Sequence, residues 1–247
     1  MNLKTQGWLL CGMAICLLSV SCTTIEIEPE AQIEATSPEP RDGEWWESRH
    51  EEKLAQVRRG NIDLVMIGDS ITHGWENDGK EVWDEYYASR KPVNLGYGGD
   101  RTEHVIWRLQ HGEIDLITPK LAVLMIGTNN TGHRKDDPEK TALGIEHILN
   151  EFRTRLPETK ILLLAIFPRE EHADSRMRKI NDGTNKIISK FADNRHVFYL
   201  DINHVFLDEN GDLPEEIMPD MLHPNANGYK LWAEAMEPAI SKLLGEK

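Results

Sequence analysis

Three stretches of the chain are apolar almost from end to end: "IDLVMIG" at residues 62–68, "LAVLMIG" at 121–127 and "KILLLAIF" at 160–167. A strand with one face in water alternates apolar and polar residues, whereas a strand covered on both faces reads as a continuous apolar run. Two weaker runs of the same kind are "PVNLG" at 92–96 and "HVFYLDI" at 196–202. Between them lie stretches with apolar residues three and four apart. "WWESRHEEKLAQVRRG" is stopped by Gly60. A second helix runs from Thr102 to Gln110. A third is opened by Asp137 and Pro138 and carries Ile145, Ile148, Leu149, Phe152 and Leu156 on one side. Others are expected near 176–192 and 226–244. Strand and helix alternate, so the expected architecture is α/β, with a central, mostly parallel five-stranded sheet. Right-handed crossovers place helices on both faces and make a three-layer α/β/α sandwich.

In such a sheet ligands bind beyond the carboxyl ends of the strands, so the residues that follow each apolar run are the ones to examine. After residue 67 comes "GDS" with Asp69 and Ser70; after 95 comes "GYGGD" with Gly98, Gly99 and Asp100; after 126 comes "GTNN" with Asn129. Ahead of the last helix stands "PDMLHP", with Asp220 and His223 three apart. A serine hydroxyl is a weak nucleophile unless an imidazole takes its proton, and the imidazole needs a carboxylate to fix its tautomer. Ser70, His223 and Asp220 can fill those roles. The oxyanion that forms on attack needs donors set in advance. The N–H of Ser70, a glycine N–H and the Asn129 amide are available, with Gly99 preferred over Gly98 and both left open.

These blocks, in this order, resemble the GDSL or SGNH hydrolase superfamily. "NLGYGGDRTEHVIWRLQHGEID", "VLMIGTNNTGH" and the "FPR" after 166 are more specifically similar to the catalytic subunits of platelet-activating factor acetylhydrolase type Ib. The resemblance spans roughly residues 45–244. It implies the flavodoxin-like SGNH hydrolase fold and a serine esterase acting on short acyl groups, acetyl above all. Carried over by motif, Ser70 is nucleophile and oxyanion donor, Gly99 and Asn129 are further donors, Asp220 is the orienting acid and His223 the base. No metal and no organic cofactor is implied, and a homodimer is allowed.

The nearer residues Asp69 and His73 look at first like partners of Ser70. Asp69 reads instead as a turn-forming carboxylate, and His73 shares an element with the serine and has no evident carboxylate partner. Asp69, His73, Asp100, His104, Asp220 and His223 together suggest a metal phosphoesterase, but their spacing matches no H-x-H, D-x-H or H-E-x-x-H pattern. "GYGGDR" has Arg101 where a dinucleotide fingerprint needs its third glycine. A carbohydrate-binding protein that has lost catalysis is a third rival, opposed by the intact set of five residues.

The amino-terminal end carries a different signal. Lys4, an apolar run from Trp8 to Leu18 and small residues before Cys22 read as a secretory signal over residues 1–21. The cysteine placement resembles a lipobox, with Ser19 where leucine is usual; lipidation of Cys22 and ordinary cleavage after Ser21 are the two readings. Residues 22–44, rich in Glu, Thr and Pro, read as an acidic tether, and 45–247 as the hydrolase domain. The expected location is outside the cytoplasm, with membrane contact only through a lipid on Cys22. Cys11 and Cys16 belong to the signal, so the domain has no cysteine, which excludes a disulfide framework, a thiolate nucleophile and thiolate metal sites. The net charge of -14 argues against nucleic acid as a partner. The expected partner is a small acetylated molecule, with carbohydrate favoured by the surface location.

Overall fold

The structure is a computed structural model that describes residues 33–246. The expected signal segment, Cys22 and the first part of the tether lie outside those residues. The sheet has five strands: β1 (Leu64–Gly68), β2 (Pro92–Gly96), β3 (Leu121–Met125), β4 (Lys160–Leu164) and β5 (Val197–Leu200). Their order is β2-β1-β3-β4-β5, and every pairing is parallel. The chain progresses outward from β1 in one direction to β2 and in the other through β3 to β5. The topological switch point therefore lies between β1 and β3, where the rule for open α/β sheets puts the ligand.

Alternation along each strand feeds two cores. Val65 and Ile67 of β1 join Ala122 and Leu124 of β3 in a core with Val57, Val105, Ile106, Ile145, Ile148 and Phe152. These come from α1 (Glu44–Arg58), α4 (Thr102–Arg108) and α5 (Pro138–Arg155), and α6 (Arg176–Ile188) adds Ile188. Leu64 and Met66 face the other way, with Val123 and Met125, onto Ile71, Trp75, Tyr229, Trp232 and Met236. That layer is made by α2 (Ser70–His73), the turn after it, α3 (Lys80–Tyr86) and the long α7 (Ala226–Leu244). Both strand faces are covered, which is why the sequence shows runs rather than alternation.

Differences from the expected elements have local causes. Strands β3 and β4 end sooner than their apolar runs: Ile126, Ile166 and Phe167 remain buried beyond the last paired residues. The helix opened by Thr102 gives way after Arg108 to a π-helical turn, Leu109–Glu113, because His111 and Gly112 leave helical geometry. Helix α3 is an addition to the expected elements: Val82, Trp83 and Tyr86 pack partly buried against the second core, but in seven residues that spacing does not repeat often enough to announce a helix.

Residues 33–44 are folded onto the domain rather than extended away from it. Ala35 is buried, and its carbonyl accepts the Thr102 hydroxyl at 2.8 Å. The Glu39 N–H donates to the Glu103 carbonyl, and Glu34 pairs with Arg134 at 3.2 Å. Composition marks this segment as polar, but one alanine and a few backbone groups are enough to seat it.

Candidate active site

Helix α2 starts directly off β1, and its position depends on glycine. A Cβ at Gly96 of β2 would lie 2.3 Å from the His73 nitrogen, so only glycine lets the helix cross the strand that closely. Asp69 caps the helix, its Oδ1 accepting the Ile71 N–H at 3.0 Å. Ser70 is thereby held at the sheet edge, half-buried.

The imidazole comes from the far end of the chain. His223 precedes α7, in a loop whose Met221 has a φ of 58°, a left-handed conformation that is strained for a methionine. The Glu170 N–H donates to the Met221 carbonyl at 2.9 Å and fixes the loop to the segment after β4. Ser70 Oγ lies 2.8 Å from His223 Nε2, and His223 Nδ1 lies 2.6 Å from Asp220 Oδ2. A carboxylate only accepts, so Nδ1 carries the proton and Nε2 is left to receive one from the serine hydroxyl. Asp220 Oδ1 also accepts the N–H groups of His223 at 2.7 Å and Leu222 at 3.1 Å. Burial acts to raise its pKa, but the bonds from the His223 ring and from these backbone groups outweigh that and hold it below the usual value. The carboxylate is thus kept ionised beside the imidazole.

Around the expected oxyanion position, Gly99 has a φ of 77°, a conformation glycine adopts freely. Asn129 is buried, and its Nδ2 donates one hydrogen to the Asp100 carbonyl at 2.9 Å, which orients the amide against the glycine loop and leaves the second hydrogen free. The N–H groups of Ser70 and Gly99 donate to no other protein group among the described residues. The structure therefore brings Ser70, Asp220 and His223 into one chain of hydrogen bonds and sets Asn129 against the loop of Gly98 and Gly99.

The nearby candidates go elsewhere. His73 Nε2 approaches Glu76 at 3.7 Å, so it does have a carboxylate neighbour, but Glu76 is held by Arg49 at 2.9 Å and Lys53 at 2.8 Å. Burial and Arg49 hold the His73 pKa below its usual value, and its ring packs against Trp45 at 5.7 Å. Asp69 is fully buried with Oδ2 unpartnered, and burial raises its pKa to about 7. His104 accepts the Arg101 N–H at 2.9 Å, closing the start of α4. Among the described residues, no three of His, Cys, Asp and Glu come together as a metal-binding group.

Several supporting contacts were not read from sequence, although Asp100 itself was named there. Asp100 accepts from Trp46 Nε1 and Arg108 Nε, both at 2.9 Å, while Arg108 also pairs with buried Glu113. This network underlies the glycine loop. Arg169, from the "FPR" string, donates to the Thr128 carbonyl at 2.6 Å and so braces the segment that carries Asn129. A buried arginine between two carboxylates is a tertiary pairing, and no local spacing announces it.

Comparison with known proteins adds independent observations. The model of the GDSL-like lipase/acylhydrolase family matches residues 66–231. Human platelet-activating factor acetylhydrolase IB subunit alpha1 is 31% identical over 206 residues, 83% of this chain and 86% of that protein. Among solved structures, a GDSL-like lipase from Bacteroides thetaiotaomicron has a TM-score of 0.61 at 20% identity, covering 79% of this chain and 97% of that one. An acetylxylan esterase from Geobacillus stearothermophilus has a TM-score of 0.59 at 19% identity, covering 76% and 96% respectively. At those identities the two structures speak to fold.

Proposed function

The chain belongs to the GDSL-like lipase/acylhydrolase family, hydrolases of ester bonds, and from that premise we propose that it is a serine esterase removing O-acetyl groups from carbohydrate through an acyl-enzyme. The observation that carries the mechanism is the relay from Ser70 Oγ to His223 Nε2 at 2.8 Å and from His223 Nδ1 to Asp220 at 2.6 Å. His223 takes the hydroxyl proton as Ser70 Oγ attacks the ester carbonyl, and Asp220 stabilises the imidazolium. The oxyanion is received by the N–H groups of Ser70 and Gly99 and the side chain of Asn129. Collapse of the tetrahedral species breaks the C–O bond, and His223 returns the proton to the departing alcohol. Water, deprotonated by the same histidine, then releases acetate and restores Ser70.

Carbohydrate as the alcohol part is favoured by two features. The Asp220 and His223 side chains are 57% and 40% exposed, so the relay opens directly to solvent and admits a large polar alcohol. Trp45 is half exposed, and its ring would lie 3.6 Å from a Cβ at Gly98, which offers an aromatic face for a sugar ring at the margin of the loop. The acetylxylan esterase of like fold supports the same choice by its name. A second reading, an acetylhydrolase of phospholipid, is favoured by the 31% identity to the human acetylhydrolase subunit.

Rates on nitrophenyl acetate, butyrate and octanoate, followed by acetate release from acetylated glycans and from an acetylated phospholipid, test the proposal. Acetate is expected to be the best acyl group by about tenfold or more, as pocket discrimination by added methylenes allows, and acetylated glycan the better natural substrate. Faster release from the phospholipid would overturn the carbohydrate reading. The location proposed with it is outside the cytoplasm, anchored through a lipid on Cys22.

A further inference from the structure

The segment expected to be tether ends on the glycine loop of the site. Arg41 Nη1 donates to the Gly98 carbonyl and lies 3.7 Å from Asp100 Oδ1. Its guanidinium occupies the space that a side chain on Gly99 would need, Nη1 being 2.8 Å from the position of an added Cβ. The Gly98 carbonyl and the Gly99 N–H belong to one peptide unit. In a trans peptide these two groups point in opposite directions. Holding the carbonyl on one side therefore fixes the N–H on the other. With glycine on both sides, this peptide could rotate at little cost, since glycine accepts positive and negative φ alike. A charge-assisted bond from arginine, about twice as strong as a neutral one, opposes that rotation.

We infer that Arg41 is a positioning residue for the oxyanion hole: it pins the Gly98 carbonyl so that the Gly99 N–H is presented to the substrate oxygen. This rests on the proposed roles of Ser70 and Gly99. Arg41 acts through the peptide and does not touch substrate. The strap that brings it there is seated by Ala35, Glu39 and Glu34 on α4 and its surroundings. The amino-terminal segment thus contributes to turnover as well as to spacing.

The test uses the full mature chain with Arg41→Ala, Arg41→Lys and Ser70→Ala beside wild type. It measures kcat and KM on nitrophenyl acetate, affinity for a trifluoromethyl ketone whose adduct carries an oxyanion, and Tm. Arg41→Ala is expected to lower kcat about 10- to 100-fold, less than complete loss of a donor, with KM and Tm little changed. Ketone affinity should fall in step with kcat/KM, and Arg41→Lys should recover most of both. Wild-type kcat and ketone affinity in Arg41→Ala would overturn the inference, as would a parallel fall of kcat and Tm with lysine no better than alanine. If Ser70→Ala stays active, the reading of the site itself fails; if Ser70→Ala is dead while Arg41→Ala is normal, only the role of Arg41 fails.

Discussion

Asp69 and Ser70 are neighbours in the chain with opposite surroundings. Ser70 reaches solvent and an imidazole, whereas Asp69 is fully buried with one oxygen unpartnered and a pKa raised to about 7 from 3.8, first of all by burial. Between about pH 4 and pH 7 the native state therefore holds a proton that the unfolded chain has released. The contribution of Asp69 to stability is complete below about pH 4 and is lost as the pH rises to 7, by a few kcal/mol at ~1.4 kcal/mol per unit. Asp69→Asn is expected to flatten that part of the profile, so urea midpoints at pH 5 and pH 8 should lie closer together than in wild type; an unchanged gap would count against the assignment. At this scale the sequence is only partly legible. The motif blocks name Ser70 and His223, but 153 positions separate them, and only the fold shows that they meet. Arg41 left no sign because its partner Gly98 lies 57 positions away, and Arg108 left none because spacings of five and eight residues to Glu113 and Asp100 are not those of a helix-face pair.

At the scale of elements, the site depends on how closely α2 crosses β2. A Cβ at Gly96 would meet the His73 nitrogen at 2.3 Å and the Thr72 carbonyl carbon at 2.6 Å, both of them backbone atoms that cannot turn aside. Gly96→Ala must push α2 and Ser70 off the sheet edge. A loss of about 3 kcal/mol is expected, at the upper end for overpacking, together with esterase activity well below wild type. Denaturant unfolding beside the nitrophenyl acetate rate checks both, and a stable, fully active variant would contradict the packing argument. The strands could be read in advance because burial on both faces leaves an unbroken apolar run. Helix α7 could be read because its buried residues recur with helical spacing. Helix α3 and the strap at 33–44 could not: α3 has seven residues, too few for an apolar period to repeat, and its Val82, Trp83 and Tyr86 are only partly buried against the core, while the buried residue of the strap is Ala35.

At the scale of the whole molecule, the parallel sheet gathers loops from distant parts of the chain along one edge. The nucleophile follows β1, the asparagine follows β3, and the two strands flank the switch point of the sheet. In the proposed arrangement the acidic residues ahead of the domain tether it to a lipid on Cys22. Cys22→Ser is expected to shift the protein from the membrane fraction to the soluble one in a host that lipidates exported proteins, with its rate on nitrophenyl acetate unchanged; fractionation unaffected by the substitution would overturn the anchor. The central claim is that this edge assembles a serine esterase from Ser70, His223 and Asp220. Hydrolysis of nitrophenyl acetate by Ser70→Ala, at matched Tm, tests it most directly. The rate should fall by at least ~10³-fold, as expected when the nucleophile of a triad is removed, whereas a rate near that of wild type would show that the ester is cleaved some other way.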